Sequence, residues 1–233
     1  MTPPVIHRVT TLNLSVVRRA WPFAEERRAE IDAHFAAAQR KRPKLWNGRV
    51  LIGRNPIFAG GQLSASYFEA DFASFLAWRD WGFPDKDVFN GFGMGALRAN
   101  DGAFALGVMG EHTANAGRIY FPSGTPDLDD IRGDVLDIEG SVARELEEET
   151  GLTPADYQAD AHWHCVHTGP SVAMIKILRV DMTGAALRAR IEANLARQDH
   201  PELAGVHLVH GRGDLTDSMP RFVTAFIEAQ LTA

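Results

Sequence analysis

The segment Arg144-Glu145-Leu146-Glu147-Glu148-Glu149-Thr150-Gly151-Leu152 has the residue types and spacing that most directly suggest chemistry. On an α-helix Glu145, Glu148 and Glu149 fall at i, i+3 and i+4, and so share one stripe within a turn. Carboxylates at that spacing repel one another, which calls for a positive partner. A hard divalent cation fits, because Mg²⁺ takes one or two carboxylates and completes its shell with water and substrate phosphate oxygens. Glu147 points to another side, into solvent. The bland alternative is a Glu-rich surface helix that binds nothing, which is common. The flanking residues separate the two readings.

Other chemistry-bearing residues are more scattered. His162 and His164 share one face of a strand, a spacing that admits zinc, but no further ligand is adjacent and a four-coordinate site needs more. Paired strand histidines otherwise hydrogen-bond a ligand or pack. Cys165 is the sole cysteine, so no internal disulfide forms, and its apolar strand gives it a packing role. Arg49, Arg54, Arg98 and Arg118 are possible phosphate contacts that sequence does not rank. A net charge of −6 disfavours nucleic acid as a partner, since backbone affinity comes from clustered Lys and Arg. An anionic small substrate then needs local cations to offset the global repulsion.

The elements that must position these residues follow from patterning. Residues 22 to 42 read as an amphipathic helix burying Phe23, Ile31, Phe35 and Ala38, stopped by Pro43. A β-like stretch at 49–52, a Gly60-Gly61 turn and a helix over 71–81 come next. Gly93 to Leu97 and Ala103 to Val108 flank the turn signal Asn100-Asp101-Gly102, a hairpin. A short strand at 118–121 and a loop at 122–133 lead into the acidic helix, which Gly151 closes as a C-cap. Strands at 162–167 and 172–180, a helix at 185–197, a strand at 206–209 and a helix at 220–231 complete the chain. Strands and helices mix without a βαβ repeat, which points to a mixed sheet between helices, an α/β/α sandwich. With 233 residues and 45% hydrophobic content the chain can bury a full core. No run reaches the ~20 apolar residues of a membrane helix, and the start lacks the apolar core of a secretory signal, so a cytoplasmic protein without a membrane partner is expected.

The pattern R-E-aliphatic-x-E-E-x-G-aliphatic at 144–152 resembles the second half of the Nudix box and matches its specified positions. Its five fixed identities would coincide by chance about once in 10⁶ starting points at average composition. The resemblance implies an α/β fold of Nudix type preceded by a small α+β N-terminal subdomain, over 88–233 and 1–87. It implies Mg²⁺, or Mn²⁺, held by Glu145, Glu148 and Glu149, with Arg144 orienting the glutamates. It makes Glu202, in the loop before the last strand, a candidate general base, with a solvated loop acid as the plain alternative. Arg98, Arg118, Gly124 and Asp127 are the expected substrate contacts.

The box departs from the common pattern in its first half. Pro122-Ser123-Gly124 resembles Pro-Gly-Gly, but six extra residues separate Gly124 from Arg144, and Leu136 stands where the first box Glu belongs. Asp127 or Asp137 replaces that Glu, or the role is absent; Asp137 is equally well a helix N-cap. The lengthened loop is similar to that of the UDP-glucose-hydrolysing branch, which also carries an N-terminal subdomain with a Trp after its first helix, as Trp46 stands here. The resemblance thus implies hydrolysis of a nucleoside diphosphate linked to another group, a nucleotide sugar first and ADP-ribose or a dinucleotide second; a homodimer is open, since sequence does not give the oligomeric state. Its rivals are a Nudix-fold module that binds nucleotide without cleaving it, and a structural protein.

Overall fold

The computed structural model describes residues 3–113 and 115–232. In chain order, β1 (Val5–Val9) and β2 (Thr11–Val16) precede α1 (Pro22–Glu26) and α2 (Arg28–Lys41). The hairpin β3 (Arg49–Ala59) and β4 (Gln62–Asp71) follows, then α3 (Phe72–Asp80), β5 (Val88–Arg98), β6 (Phe104–Met109) and β7 (Ile119–Tyr120). A 3-10 turn (Leu128–Asp130) and the short strands β8 (Ile131–Arg132) and β9 (Val135–Leu136) lead to α4 (Ile138–Thr150). The chain ends with β10 (Gln158–Thr168), β11 (Ser171–Arg179), α5 (Gly184–Leu195), β12 (Leu203–Val209) and α6 (Arg221–Leu231).

The sheet is mixed. β5 pairs parallel with β11 and β2 parallel with β4, while β1–β10, β10–β11, β3–β4, β3–β5 and β6–β12 are antiparallel. Side chains alternate along β11 with the strand period of two. Val172, Met174 and Leu178 enter one core with Val142 and Leu146 of α4 and Leu187 and Ile191 of α5. Ala173, Ile175 and Ile177 enter another with Val223, Phe226 and Ile227 of α6. Helices therefore cover both faces, and the α/β/α sandwich expected from the pattern is present. A third core lies wholly within residues 21–88, where Trp21, Phe35, Phe68 and Trp78 gather between α1, α2, α3 and the β3–β4 hairpin. The expected division after residue 87 falls just before β5, and hydrogen bonds cross it, since β1 pairs with β10 and β3 with β5.

Two glycines of β5 set the depth of α4. A Cβ on Gly93 would lie 2.6 Å from Val142 Cγ2, and one on Gly95 would lie 3.3 Å from Val142 Cγ1. Their absence lets the acidic helix pack directly on the strand backbone. Asp137 caps that helix by accepting the Gly140 N–H at 2.9 Å, and Gly151 ends it in the left-handed region at φ 71°. The cap reading of Asp137 is thus the one its geometry supports. Asp137→Ala should cost about 1 kcal/mol, the usual worth of an N-cap, read as a fall of ~2–4 °C in melting temperature for a chain of this size; Asp137→Asn, still a good cap, should be nearly silent.

Three expectations change. The helix at 22–42 is two helices, broken where Arg27 leaves helical geometry (φ −111°, ψ 21°) and its guanidinium lies 4.4 Å from the Trp81 ring centroid. β1, β2 and β4 are strands that the sequence reading does not contain, although Thr11–Val16 and the first six residues of β4 alternate polar and apolar side chains with the strand period of two. The extra residues before Arg144 form the β8–β9 turn, anchored to β2 through Ser15 and Val135. Within it Leu136 is buried against the α4 core, so the residue standing in place of the first box Glu packs rather than reacts.

Candidate metal and phosphate site

The loop 122–127 is held from both sides before it meets α4. Gly95 donates its N–H to the Pro122 carbonyl at 3.1 Å, and Leu51 donates to Pro126 at 2.8 Å. This brings Gly124 against Glu145: a Cβ there would fall 2.4 Å from the Glu145 carboxyl carbon. The Ser123 backbone N–H hydrogen-bonds the Glu149 carboxylate. Gly124→Ala should move the Glu145 carboxylate, which is the flexible end of a side chain, without disturbing the backbone. A melting temperature within about 2 °C of wild type and a loss of tenfold or more in kcat/KM, about 1.4 kcal/mol, are expected; unchanged kinetics would detach this contact from function.

The stripe is graded in exposure. Glu149 is 5% exposed, Glu145 is partly buried, and the Glu148 side chain is 62% exposed. Burial pushes the Glu149 carboxyl well above the usual range, helped by the charges of Glu145 and Glu202. Burial likewise pushes Glu145 up to about 7, opposed by Arg144 and reinforced by Glu148 and Glu202. Glu202 thus faces both glutamates, and it joins Glu145 in lining a cleft of about 980 Å³ with Tyr120, Ser123, Gly124 and Thr125. One oxygen of Glu149, Oε2, is buried without a hydrogen-bond partner among the described residues. Leaving such an atom unpaired costs free energy that a bound cation would recover.

Arg144 bridges two acids. Its Nη2 donates to Asp130 Oδ1 at 2.9 Å and its Nη1 to Glu145 Oε1 at 2.8 Å. Asp130 is 2% exposed and also accepts the Asp127 N–H through Oδ2 at 3.1 Å. Sequence reasoning missed Asp130; its signal was the run Asp127-Leu128-Asp129-Asp130, in which only the 3-10 turn decides which acid faces Arg144. Asp127 accepts the Asp129 N–H at 2.8 Å, capping that turn, while lining the cleft. Asp137 caps α4, Asp127 caps the 3-10 turn at the edge of the cleft, and the acid that accepts from Arg144 beside Glu145 is Asp130.

Arg118 lines an adjoining cleft of about 560 Å³ that shares Asn115, Tyr120 and Ser123–Thr125 with the first. Arg98 lies elsewhere, over the Phe104 ring and in a separate cleft with Arg179 and Asp181. Arg49 is ion-paired with Glu69. His162 Nδ1 lies 3.0 Å from Arg8 Nη2, and His164 packs against the Phe226 ring. Among the described residues no three His, Cys, Asp or Glu side chains converge as a closed metal cage. That suits neither structural zinc nor a fully protein-bound ion, but Mg²⁺ keeps several waters and takes few protein ligands. An orphaned buried carboxylate oxygen beside a second half-buried carboxylate is a donor set that fits it.

The chain matches no protein-family model and no curated protein. Solved structures similar to it include RenU, a Nudix hydrolase from M. smegmatis, at 16% identity and a TM-score of 0.41 over 62% of this chain and 89% of that one. A bifunctional NMN adenylyltransferase/ADP ribose pyrophosphatase from Francisella tularensis is similar at 15% identity and 0.41, over 68% and 45%. A MutT protein from Methanosarcina mazei Go1 is similar at 17% identity and 0.34, over 60% and 91%. Likenesses of that order carry neither an activity nor a substrate over to this chain.

Proposed function

We propose that this protein hydrolyses the pyrophosphate bond of a nucleoside diphosphate linked to another group, as the Nudix-like segment at 144–152 implies. The observation that carries the reading is the buried Glu149 carboxylate with its unpartnered Oε2, which feels the charges of Glu145 and Glu202, two residues that line the large cleft. Glu145, Glu148 and Glu149 would hold Mg²⁺ or Mn²⁺, which when bound neutralises phosphate oxygens and lowers the pKa of water. Arg144 fixes the direction of the Glu145 carboxylate, and Asp130 fixes Arg144. Glu202 accepts the proton of the water that attacks one phosphorus, a role that requires hydrogen-bond reach to that water. Arg118 steadies the phosphates from the adjoining cleft, and Gly124 leaves room for them against Glu145. Catalysis of this kind is charge placement, so it needs no protein nucleophile.

The substrate we propose first is a nucleotide sugar of the UDP-glucose kind, with ADP-ribose second. Two clefts meeting at Ser123–Thr125 suit a substrate with a sizeable group on either side of its diphosphate, which a nucleoside triphosphate lacks. The deciding experiment offers UDP-glucose, ADP-ribose and nucleoside triphosphates with Mg²⁺ in ¹⁸O-water. Nucleoside monophosphate and sugar phosphate are the expected products, the label showing which phosphorus was attacked. Rapid turnover of triphosphates alone would overturn the substrate. Nucleotide-dependent thermal stabilisation without any turnover would favour a binding module instead.

A further inference from the structure

Tyr120 lines both clefts, together with Asn115, Ser123, Gly124 and Thr125. It comes to that position on β7, which pairs antiparallel with β6, Tyr120 standing opposite Gly107. Its ring packs against two cores at once, the one that holds α4 and the one that holds α6. A phenol wedged in this way has little freedom to turn, so the fold sets where its hydroxyl stands. Of the groups that the proposed chemistry uses, Glu149 and Glu202 are near enough for their charges to act on it.

The hydroxyl is only half committed. Asn115 Nδ2 donates to Tyr120 Oη at 3.0 Å, and among the described residues that hydroxyl donates to nothing. Asn115 is itself placed by a tight turn. Arg118 donates its N–H to the Asn115 carbonyl at 2.9 Å, and Gly117, in the left-handed region at φ 73°, donates to the Met109 carbonyl at 3.0 Å. A phenol has one proton to give and lone pairs that receive. Here an amide fills a receiving position, and its donation polarises the O–H and strengthens it as a donor. Burial pushes the Tyr120 pKa up to about 12 against the pull of the Asn115 hydrogen bond, and the charges of Glu149 and Glu202 add to the rise. The proton therefore stays on the oxygen. A ring kept only to fill the space between two cores would need no hydroxyl.

We propose that Tyr120 is a further catalytic residue, whose hydroxyl donates a hydrogen bond to an oxygen of the diphosphate lying where the two clefts meet. The proposal rests on the hydrolase reading of Glu145 and Glu149, and it adds a donor that carries no charge of its own. Negative charge shifts onto phosphate oxygens as the pyrophosphate bond breaks, and a donor already aimed at one of them stabilises that charge without reorganising. No proton leaves Tyr120. The oxygen of the attacking water joins phosphorus, its proton goes to Glu202, and the leaving phosphate departs with the bridging oxygen, while the Tyr120 O–H bond stays whole throughout.

Tyr120→Phe is the test, because the ring stays between its two cores and only the hydroxyl goes. The melting temperature should stay within about 2 °C of wild type. With Mg²⁺ and whichever of UDP-glucose and ADP-ribose wild type cleaves faster, kcat/KM should fall tenfold or more, about 1.4 kcal/mol. The fall should be the same from about pH 6 to about pH 9, a range in which the phenol stays protonated. A smaller fall overturns the proposal. So does a fall that varies with pH, which would make Tyr120 a residue that tunes Glu149 or Glu202 rather than one that touches substrate. A second measurement separates the donor from the hydrolase reading. Isothermal titration calorimetry with Mg²⁺ follows the α,β-methylene analogues of ADP and UDP, whose bridging carbon resists cleavage, on wild type and on Tyr120→Phe. If wild type turns over no diphosphate, the hydrolase reading falls. Analogue binding weakened about threefold or more in the variant would still keep the hydroxyl on the diphosphate, and equal or absent binding would remove it.

Discussion

Glu149→Gln should abolish hydrolysis and make the metal-free protein more stable. The amide keeps the shape of the side chain but loses the charge that would hold a divalent cation, and losses on the order of 10²–10³ in kcat accompany removal of one well-placed electrostatic partner. Stability moves the other way because the wild-type carboxylate is 5% exposed with one oxygen unpaired. Burial raises its folded-state pKa above the unfolded value near 4.5, so its protonated form is the one the fold favours. A group with a raised folded pKa contributes no penalty below its unfolded pKa and a growing one as pH rises towards its folded value. At pH 8 the substitution removes a cost on the order of 1–2 kcal/mol, a rise of roughly 2–8 °C in melting temperature. That gain should shrink as pH falls towards 4.5. Millimolar Mg²⁺ should stabilise wild type and leave the variant unmoved. Wild-type turnover by the variant would remove the stripe from the chemistry, and a lower melting temperature at pH 8 would show that Glu149 is satisfied in a way its burial does not suggest.

What sequence could show here was local, and what it could not show was relational. The spacing of Glu145, Glu148 and Glu149 follows from helical periodicity alone, and Gly151 and Pro43 mark helix ends by their own backbone chemistry. Which glutamate is buried is set by the loop at 122–127, and that loop is placed by β3 and β5, whose pairing is a tertiary fact. The same limit explains the arginines. Arg98 and Arg118 look alike in sequence, yet Arg98 ends β5 beside a different cleft while Arg118 stands next to β7 in the cleft that adjoins the one lined by Glu145. The aromatic residues divide in the same manner: Phe68 and Trp78 are fully buried in the core within residues 21–88, while Trp46 stays open to the cleft.

Asp130→Asn should be the most damaging of the loop-acid substitutions, ahead of Asp127→Asn, with Asp137→Asn last. Asp130 accepts from Arg144 and from the Asp127 N–H with its two carboxylate oxygens, in a position 2% exposed. An amide can keep one acceptor there but turns a donor towards the guanidinium or the N–H. Removing one partner of a fully buried ion pair costs about 3–5 kcal/mol. Arg144 is 35% exposed and keeps Glu145, which lowers the expected cost to about 2 kcal/mol, or roughly 4–8 °C. Function should suffer beyond stability, because Arg144 released from Asp130 can pull Glu145 out of its place beside Gly124. A positioning role predicts a fall of tenfold or more in kcat, about 1.4 kcal/mol, together with a higher Mg²⁺ concentration for half-maximal rate, measured at a temperature where the variant is fully folded. A purely structural Asp130 would lower the melting temperature and leave the Mg²⁺ dependence where it was. Asp127→Asn retains a capping side chain and should cost little in either readout. If Asp127→Asn or Asp137→Asn proved the more damaging to kcat, the acid that supports the Arg144–Glu145 pair would have been misassigned to Asp130.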